Sequence, residues 1–411
     1  MSRRPIRWAG VALGGWCALA MLLFAQSLWE IPSYMADWLP GPYRMVAAWF
    51  PPGWIGASRE GGGRVAAVLL YAVITAGLWA AYLAALRTAR HSDLAAPSPV
   101  EGRGIGWGVV FGAVAITWPG LLASDLYLYA TYGKMQVVYG LNPLVQPPSA
   151  MTGDPWLVWA PWHDILSAYG PVWLVITRGV SAVAVALGGD RALYLLGFKL
   201  LNLALLAGGA ALVATIGRQL AWPAGRRLEA VLLFAWCPLG IIEWIGNGHN
   251  DALLAVCALA ALWLHLRGQW PAALVALLAG GLVKLPGLFL LPAYVTLLLV
   301  SAPDRAARAR RGLAGVVVGG TFVVLAYAPY ADPALGKVLL ANPVAGFYAA
   351  SPALVVRQLL TDAALALRGV LTPATLTERG ALEAVRWPVW YAAYGGWALL
   401  ALLLSVRVRD A

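Results

Sequence analysis

Charge is what this sequence has least of. Only 11% of its 411 residues are Asp, Glu, Lys or Arg, whereas 61% are hydrophobic; an ordinary soluble domain carries about 25% charged residues. A water-soluble fold could not hide that much apolar surface, so the composition excludes an ordinary soluble enzyme. Cysteine is almost missing as well. Cys17, Cys237 and Cys257 each lie inside an apolar run without a CxxC partner, which suggests neither a disulfide framework nor a zinc site. No internal repeat of the kind that marks many transporters is visible, and no low-complexity tract. The basic residues give a formal charge of +11, but they are dispersed at the ends of apolar runs rather than gathered on one polar face. That pattern points to anionic membrane lipid and not to nucleic acid as the partner.

Long apolar runs are present in number. A helix needs about 20 apolar residues to cross the hydrocarbon core, and the candidates are Trp8–Leu28, Val65–Leu86, Ile105–Ala123, Ala192–Ile216, Leu228–Ile245, Ala252–Leu266, Leu313–Ala328 and Trp387–Val406. The first follows an arginine-bearing N-terminus as a signal peptide would, but is longer than the usual h-region of about 7–15 residues, and reads as an uncleaved span. Ala272–Val300 breaks at Lys284-Leu-Pro-Gly287, because a lysine beside a Pro-Gly step is costly in mid-bilayer. Split there, it gives roughly ten spans in all. Val172–Leu187 is apolar but holds Arg178, and reads as an interfacial helix lying on the outer surface.

With that arrangement sixteen of the 29 basic residues fall on short inner segments, and the positive-inside rule places both termini in the cytoplasm. The expected fold is an all-α polytopic bundle in the plasma membrane. It reads as a single membrane-embedded domain over 1–411, with N-terminal spans over 1–104, a central module over 105–300, and C-terminal spans with an outer loop over 301–411. Its long outer segments are Glu30–Arg64, Ser124–Gly189 and Tyr330–Arg386.

Candidate chemistry collects on the outer segments. Asp125, in Ser124-Asp-Leu-Tyr-Leu-Tyr129, ends the third span, and a carboxylate facing a wet pocket at a membrane surface can act as a general base; it could equally be a solvated helix-end carboxylate. Asp154, His163 and Asp164 interleave with Trp156, Trp159 and Trp162. Rings that stack on sugar C–H faces beside carboxylates suit a carbohydrate site, although Trp and Tyr gather at any membrane interface. In Gly246-Asn-Gly-His-Asn-Asp251 the glycines and the free N–H groups of a helix N-terminus can receive an anion. Asn250 or Asp251 can also serve there as an N-cap. His249 gains no stability from such a turn and points to function. Lys284 at a helix break is placed to meet a phosphate, or to snorkel toward the interface.

The succession Asp125-Leu-Tyr127, Tyr132-Gly-Lys134, Gly140-Leu-Asn142-Pro, Tyr169-Gly-Pro171, Gly246-Asn-Gly248-His249-Asn250-Asp251 and Lys284-Leu-Pro resembles the polyprenol-phosphate-dependent glycosyltransferases of the GT-C type. It is most similar to the bacterial polyprenyl-phosphomannose α-1,6-mannosyltransferases. The resemblance covers Ile105 to about Val300, with one departure: Lys134 stands where the family usually has arginine.

What the resemblance implies is a GT-C-like bundle that moves a hexose, mannose by analogy, from a polyprenyl-phosphate sugar to a glycan or lipoglycan acceptor, outside the cell, by inverting displacement. Asp125 would be the base, with Asp154 and Asp164 as alternatives. Lys284, His249, Asn250 and Gly248 would hold the donor phosphate. Tyr127, Lys134, Asn142, Asp154, His163, Asp164, Tyr169 and Asp251 would contact sugar or acceptor. No cofactor is called for, and nothing indicates a divalent metal, though one is compatible with the chemistry. The rival readings are a multi-pass transporter, kept open by Lys199 within an apolar run, and a lipid-linked glycan polymerase or ligase.

Overall fold

The computed structural model describes residues 7–30, 62–92, 100–118, 125–160, 162–341 and 352–407. Outside them lie most of the expected outer segment 30–64, together with Ser124 and the inner arginines Arg3 and Arg4. Every regular element among the described residues is a helix. The α-helices run in chain order as α1 Arg7–Glu30, α2 Gly62–Arg90, α3 Val100–Ile116, α4 Asp125–Val138, α5 Pro171–Ala186, α6 Arg191–Gln219, α7 Ala224–Ala235, α8 Asp251–Leu266, α9 Trp270–Gly281, α10 Leu291–Val300, α11 Arg305–Tyr327, α12 Leu335–Ala341, α13 Pro352–Ala366 and α14 Glu378–Arg407. Among the described residues, four segments are long and apolar enough to cross a membrane: Val68–Arg90, Arg191–Gln219, Ala224–Gly246 and Arg305–Tyr330. The protein is therefore an all-α polytopic membrane protein.

Two units separate by their internal contacts, Met1–Gly287 with Thr321–Tyr330, and Leu288–Gly320 with Ala331–Ala411. In the second, α14 packs on α13 and α10. In the first, α1 lies along α2, α3 packs on α6 and α7, α4 on α5, and α8 on both α6 and α9. Its main core joins Trp16, Phe111, Trp118, Trp236 and Ile245, with Phe111 edge-on to Trp236 at 5.1 Å between ring centroids.

Glu101, at 8% exposure, ties this unit together at one end. Arg218 meets its Oε2 at 2.7 Å and Arg227 its Oε1 at 2.6 Å, so α3, α6 and α7 are joined by one carboxylate whose charge is more than balanced. The expected span Ile105–Ala123 accordingly starts earlier in the structure, at Val100, because Glu101 is neutralised inside the helix bundle. The expected run Leu228–Ile245 is broken by Pro238, after which the chain winds as a π-helical turn over Ile241–Gly246. The break foreseen at Lys284 is present: α9 ends at Gly281, a 3₁₀ turn covers Leu285–Leu290, and α10 follows.

Candidate active site

The Asp125 carboxylate opens α4. Tyr169 donates its hydroxyl to Asp125 Oδ2 at 3.0 Å, and His249 Nδ1 lies 3.2 Å from the same oxygen. The other imidazole nitrogen, Nε2, lies 3.3 Å from Glu243 Oε2. A short step away, Lys284 Nζ donates to both oxygens of Asp251 at 3.2 Å. Five sequence candidates therefore converge with one residue that sequence reasoning missed, Glu243.

Close backbone approaches bring these side chains together. Glycine is required at 248, where φ is +78° and a Cβ would stand 2.6 Å from Leu126 Cδ1. This lets the Gly246–Asp251 turn press on the start of α4, and a Cβ at Gly246 would meet the Trp118 ring. A Cβ at Gly170 would run into the Leu282 carbonyl, and the N–H groups of Gly170 and Val172 donate to Val283 O and Leu282 O, both at 3.1 Å. The Tyr169-Gly-Pro171 motif thus clasps the end of α9, setting Tyr169 beside the segment that carries Lys284. Hairpin packing of α8 on α9 then returns Lys284 to Asp251.

The π-helical turn presents Glu243 and His249 side by side. Such wide turns recur at functional sites because they re-aim side chains within an otherwise regular helix. His249 N–H donates to Glu243 O at 3.0 Å, and Asn247 Nδ2 to Glu243 Oε2 at 3.0 Å. From α6, buried Asn202 reaches in with one amide nitrogen and donates to Trp244 O at 2.6 Å and to His249 O at 3.2 Å. Asn250 is fully buried. It occupies the N-cap position of α8 without a side-chain cap bond, and its amide has no partner among the described residues.

The electrostatics follow from this crowding. Burial would raise the Asp125 pKa, but the His249 contact, the Tyr169 hydroxyl and the Lys284 charge outweigh it and hold the carboxyl below its ordinary value. Burial would likewise lower that of His249, yet Asp125, Glu243 and Asp251 together raise it. At neutral pH the pair is thus biased toward carboxylate and imidazolium.

Beside the cluster opens a cavity of about 430 Å³. Leu233, Phe234, Leu239 and Trp244 form an apolar wall, while Glu243, His249, Asp251 and Lys284 stand at its polar side. His249 and Lys284, separated in sequence by α8 and α9, therefore face one cavity. Few sites combine a greasy wall with a cation, an imidazole and carboxylates, and such a site suits an amphiphile with an ionic head.

Other sequence candidates lie apart from this cluster. Lys134 is nine residues along α4 from Asp125, ~13 Å at the helical rise, and pairs with Asp154 Oδ2 at 2.7 Å. Asp154 also accepts from Tyr139 OH at 2.6 Å and caps the 3₁₀ turn Pro155–Trp159, and these partners hold its pKa down against its burial. That is the bonding of a structural carboxylate. Lys134 Nζ meets both oxygens of Asp154, Oδ1 at 3.0 Å as well as Oδ2. His163 and Asp164 pair with each other at 3.2 Å on an exposed loop. Asn142 caps Leu144 and donates to Tyr330 O at 3.1 Å. Tyr127 stacks on Trp159, over which Arg191 also lies. Lys199 is buried and donates to Trp118 O at 2.6 Å, fastening the end of α3; it closes a helix terminus and does not line the cavity. Among the described residues no group of three or more His, Cys, Asp or Glu is arranged to hold a metal ion.

No curated protein and no solved structure is detectably similar to the chain. A family model, that of the alpha-(1->6)-mannopyranosyltransferase N-terminal domain, matches residues 22–300 and so covers α2 to α10 and every residue of the cluster. The chain belongs to the alpha-(1->6)-mannopyranosyltransferase family.

Proposed function

We propose that this mannosyltransferase takes its sugar from a polyprenyl-phosphate donor and passes it to a glycan or lipoglycan acceptor at the outer face of the plasma membrane. The observation that carries the reading is the two-natured cavity: its apolar wall of Leu233, Phe234, Leu239 and Trp244 suits a prenyl chain, and Lys284 with His249 suits the phosphate that ends it.

In the reaction an acceptor hydroxyl gives its proton to the Asp125 carboxylate and its oxygen bonds to the sugar C1. The C1–oxygen bond to the phosphate breaks, and its electron pair leaves with the polyprenyl phosphate. Tyr169 and His249, both on Oδ2, orient the carboxylate so that its other oxygen can take the proton. A positioned base of this kind typically contributes about 10²–10⁴-fold. The leaving group gathers negative charge, which Lys284 Nζ and an imidazolium at His249 stabilise where it develops. A single displacement on a β-linked donor gives an α product.

The reading is tested by incubating the purified protein with glycan acceptors and a panel of polyprenyl-phosphate and nucleotide sugars while following glycan product and release of lipid phosphate. Turnover with polyprenyl-phosphomannose is expected. Turnover only with a nucleotide sugar, or with none of the donors, would remove the lipid-phosphate donor from the account.

A further inference from the structure

A second cavity, of about 170 Å³, lies at the far end of α4, where Gln136, Gly140, Asn142, Arg178 and Tyr330 meet. Gln136 stands eleven residues from Asp125 on the same helix, ~16 Å along its axis, so the two cavities are distinct. Its polar wall is fixed by its own bonds. Gln136 Nε2 donates to Leu174 O and Thr177 Oγ1, each at 3.1 Å, and its Oε1 accepts from Tyr330 OH at 2.9 Å. Asn142 Nδ2 donates to Tyr330 O at 3.1 Å.

Arg178 supplies the charge. Among the described residues no carboxylate lines the cavity. Among the described residues the guanidinium has neither a hydrogen bond nor an ion pair, and its field falls on the Tyr330 side chain. Arg178 projects from the outward face of α5. The inward face of that helix, with Trp173, Leu174, Thr177 and Ser181, is buried, and Gly133 of α4 fits against Thr177 and Ser181 so closely that a Cβ there would overlap them. On the outward face Val175, Val183, Val185 and Leu187 are 48%, 60%, 38% and 66% exposed. An apolar exposed helix face on a membrane protein is a lipid-contact surface. A single free arginine within it, opening into that polar cavity, supplies a fixed positive charge and N–H donors to phosphate oxygens. A glycan chain does not suit a space this small, since ligand pockets usually run to about 300–1,000 Å³.

We propose that this cavity binds the phosphate headgroup of an anionic membrane phospholipid through Arg178, at a site separate from the donor cavity. The bound lipid would pin the junction of α4, α5 and Tyr330 to the headgroup layer.

The test uses the full chain, stripped of lipid in detergent, as wild type, Arg178→Gln and Arg178→Lys. Each is titrated with phosphatidylglycerol, with phosphatidylcholine, and with soluble glycerol phosphate, and bound lipid is counted by native mass spectrometry. Wild type is expected to retain one more phosphatidylglycerol than Arg178→Gln at low lipid, with an affinity for that lipid roughly tenfold higher or more. Arg178→Lys should keep most of the binding, and phosphatidylcholine should compete poorly. Equal phosphatidylglycerol retention by wild type and Arg178→Gln overturns the proposal, as does displacement by glycerol phosphate at equal concentration, which would make the ligand a free phosphate. Should Arg178→Gln melt early, the lysine variant decides: loss of the lipid despite a retained charge and a native melting temperature also overturns it. The readout is lipid occupancy and not turnover, so failure here leaves the mannosyl-transfer reading untouched.

Discussion

Asp251 begins α8 and Lys284 follows the end of α9, and at the open end of this hairpin the lysine ammonium lies 3.2 Å from both carboxylate oxygens of the aspartate. The two side chains are 33% and 41% exposed, and a pair that open to solvent contributes at most about 1 kcal/mol to stability. Their conjunction therefore adds little to the fold, and the proposed reaction gives the lysine its role. Lys284→Ala should leave the melting temperature in detergent within a few degrees of wild type and lower kcat by about 10²–10³-fold, the usual loss on removing one electrostatic stabiliser of a developing anion. A kcat within a few-fold of wild type would take Lys284 out of the phosphate site.

Asp125→Asn keeps the shape of the side chain and its contact with Tyr169 but cannot accept a proton. Membrane insertion and melting temperature should be retained, while transfer falls by about 10²–10⁴-fold, followed as release of polyprenyl phosphate. Activity close to wild type would pass the base role to another carboxylate, and Asp154, already saturated by Lys134, Tyr139 and the Trp156 N–H, would be a poor heir.

The pH dependence has a definite sign. Burial opposes the charge on His249, but Asp125, Glu243 and Asp251 raise its pKa above the ordinary value. The stabilisation that protonated His249 gives the folded state is complete below the unfolded value of about 6.5. It is lost as pH rises through the raised one. Transfer should decline over the same alkaline window as the imidazolium disappears from the donor cavity. Glu243→Gln removes one of the raising charges, so the alkaline limb of the kcat profile should move to lower pH. An unmoved limb would show that some group other than His249 governs it.

Asn202 acts on the site only through other residues. Its amide nitrogen joins Trp244 O to His249 O, pinning the π-helical turn that aims Glu243 and His249. Asn202→Leu, of similar size, should lower kcat with little change in donor KM and shift the same alkaline limb, because His249 moves relative to its carboxylates. A uniformly unstable variant with an unaltered pH profile would assign Asn202 to packing alone.

Much of this was legible in the sequence because it is local. The apolar runs located the long helices, within a few residues for α1, α2, α6 and α8 but eight or nine residues late at the starts of α11 and α14, and the cost of a lysine beside Pro286 marked the break between α9 and α10. Asp125, His249, Asp251 and Lys284 could be chosen because polar residues among apolar neighbours stand out, whereas Tyr169 entered only through the family resemblance. Glu243 carried the same signal inside Ile241-Ile-Glu-Trp-Ile245, but in a regular helix it reads as an isolated buried charge, and only the π-helical turn after Pro238 sets it beside His249. The pairing of Lys134 with Asp154 was not legible. Both residues sit among tyrosines and tryptophans that suit a sugar site, and nothing short-range shows that they satisfy each other across twenty positions. Gly170 against Leu282, which aligns Tyr169 with Lys284, is likewise a contact between distant backbones.

Sidedness is the last expectation, and it bears on everything that follows α5. If α5 crossed the membrane, Arg178 would sit in mid-span at about 2.5–3.5 kcal/mol on insertion scales, and the arginines beyond α6 would face outward. Arg218 and Arg227 share the Glu101 carboxylate, so the ends of α3, α6 and α7 that carry them lie on one side together, and the positive-inside rule assigns that side to the cytoplasm. Gly225 is a poor place for a probe, because a Cβ there would stand 2.8 Å from Ser92 O. Leu220, 41% exposed, and Val158, 84% exposed, tolerate one. In a background lacking Cys17, Cys237 and Cys257, an impermeant thiol reagent applied to intact cells should label Val158→Cys and spare Leu220→Cys, which becomes reactive only after permeabilisation. Labelling of Leu220→Cys in intact cells would put the arginine cluster outside, reverse α6 and α7, and separate the proposed outer-face reaction from the cavity that holds His249 and Lys284.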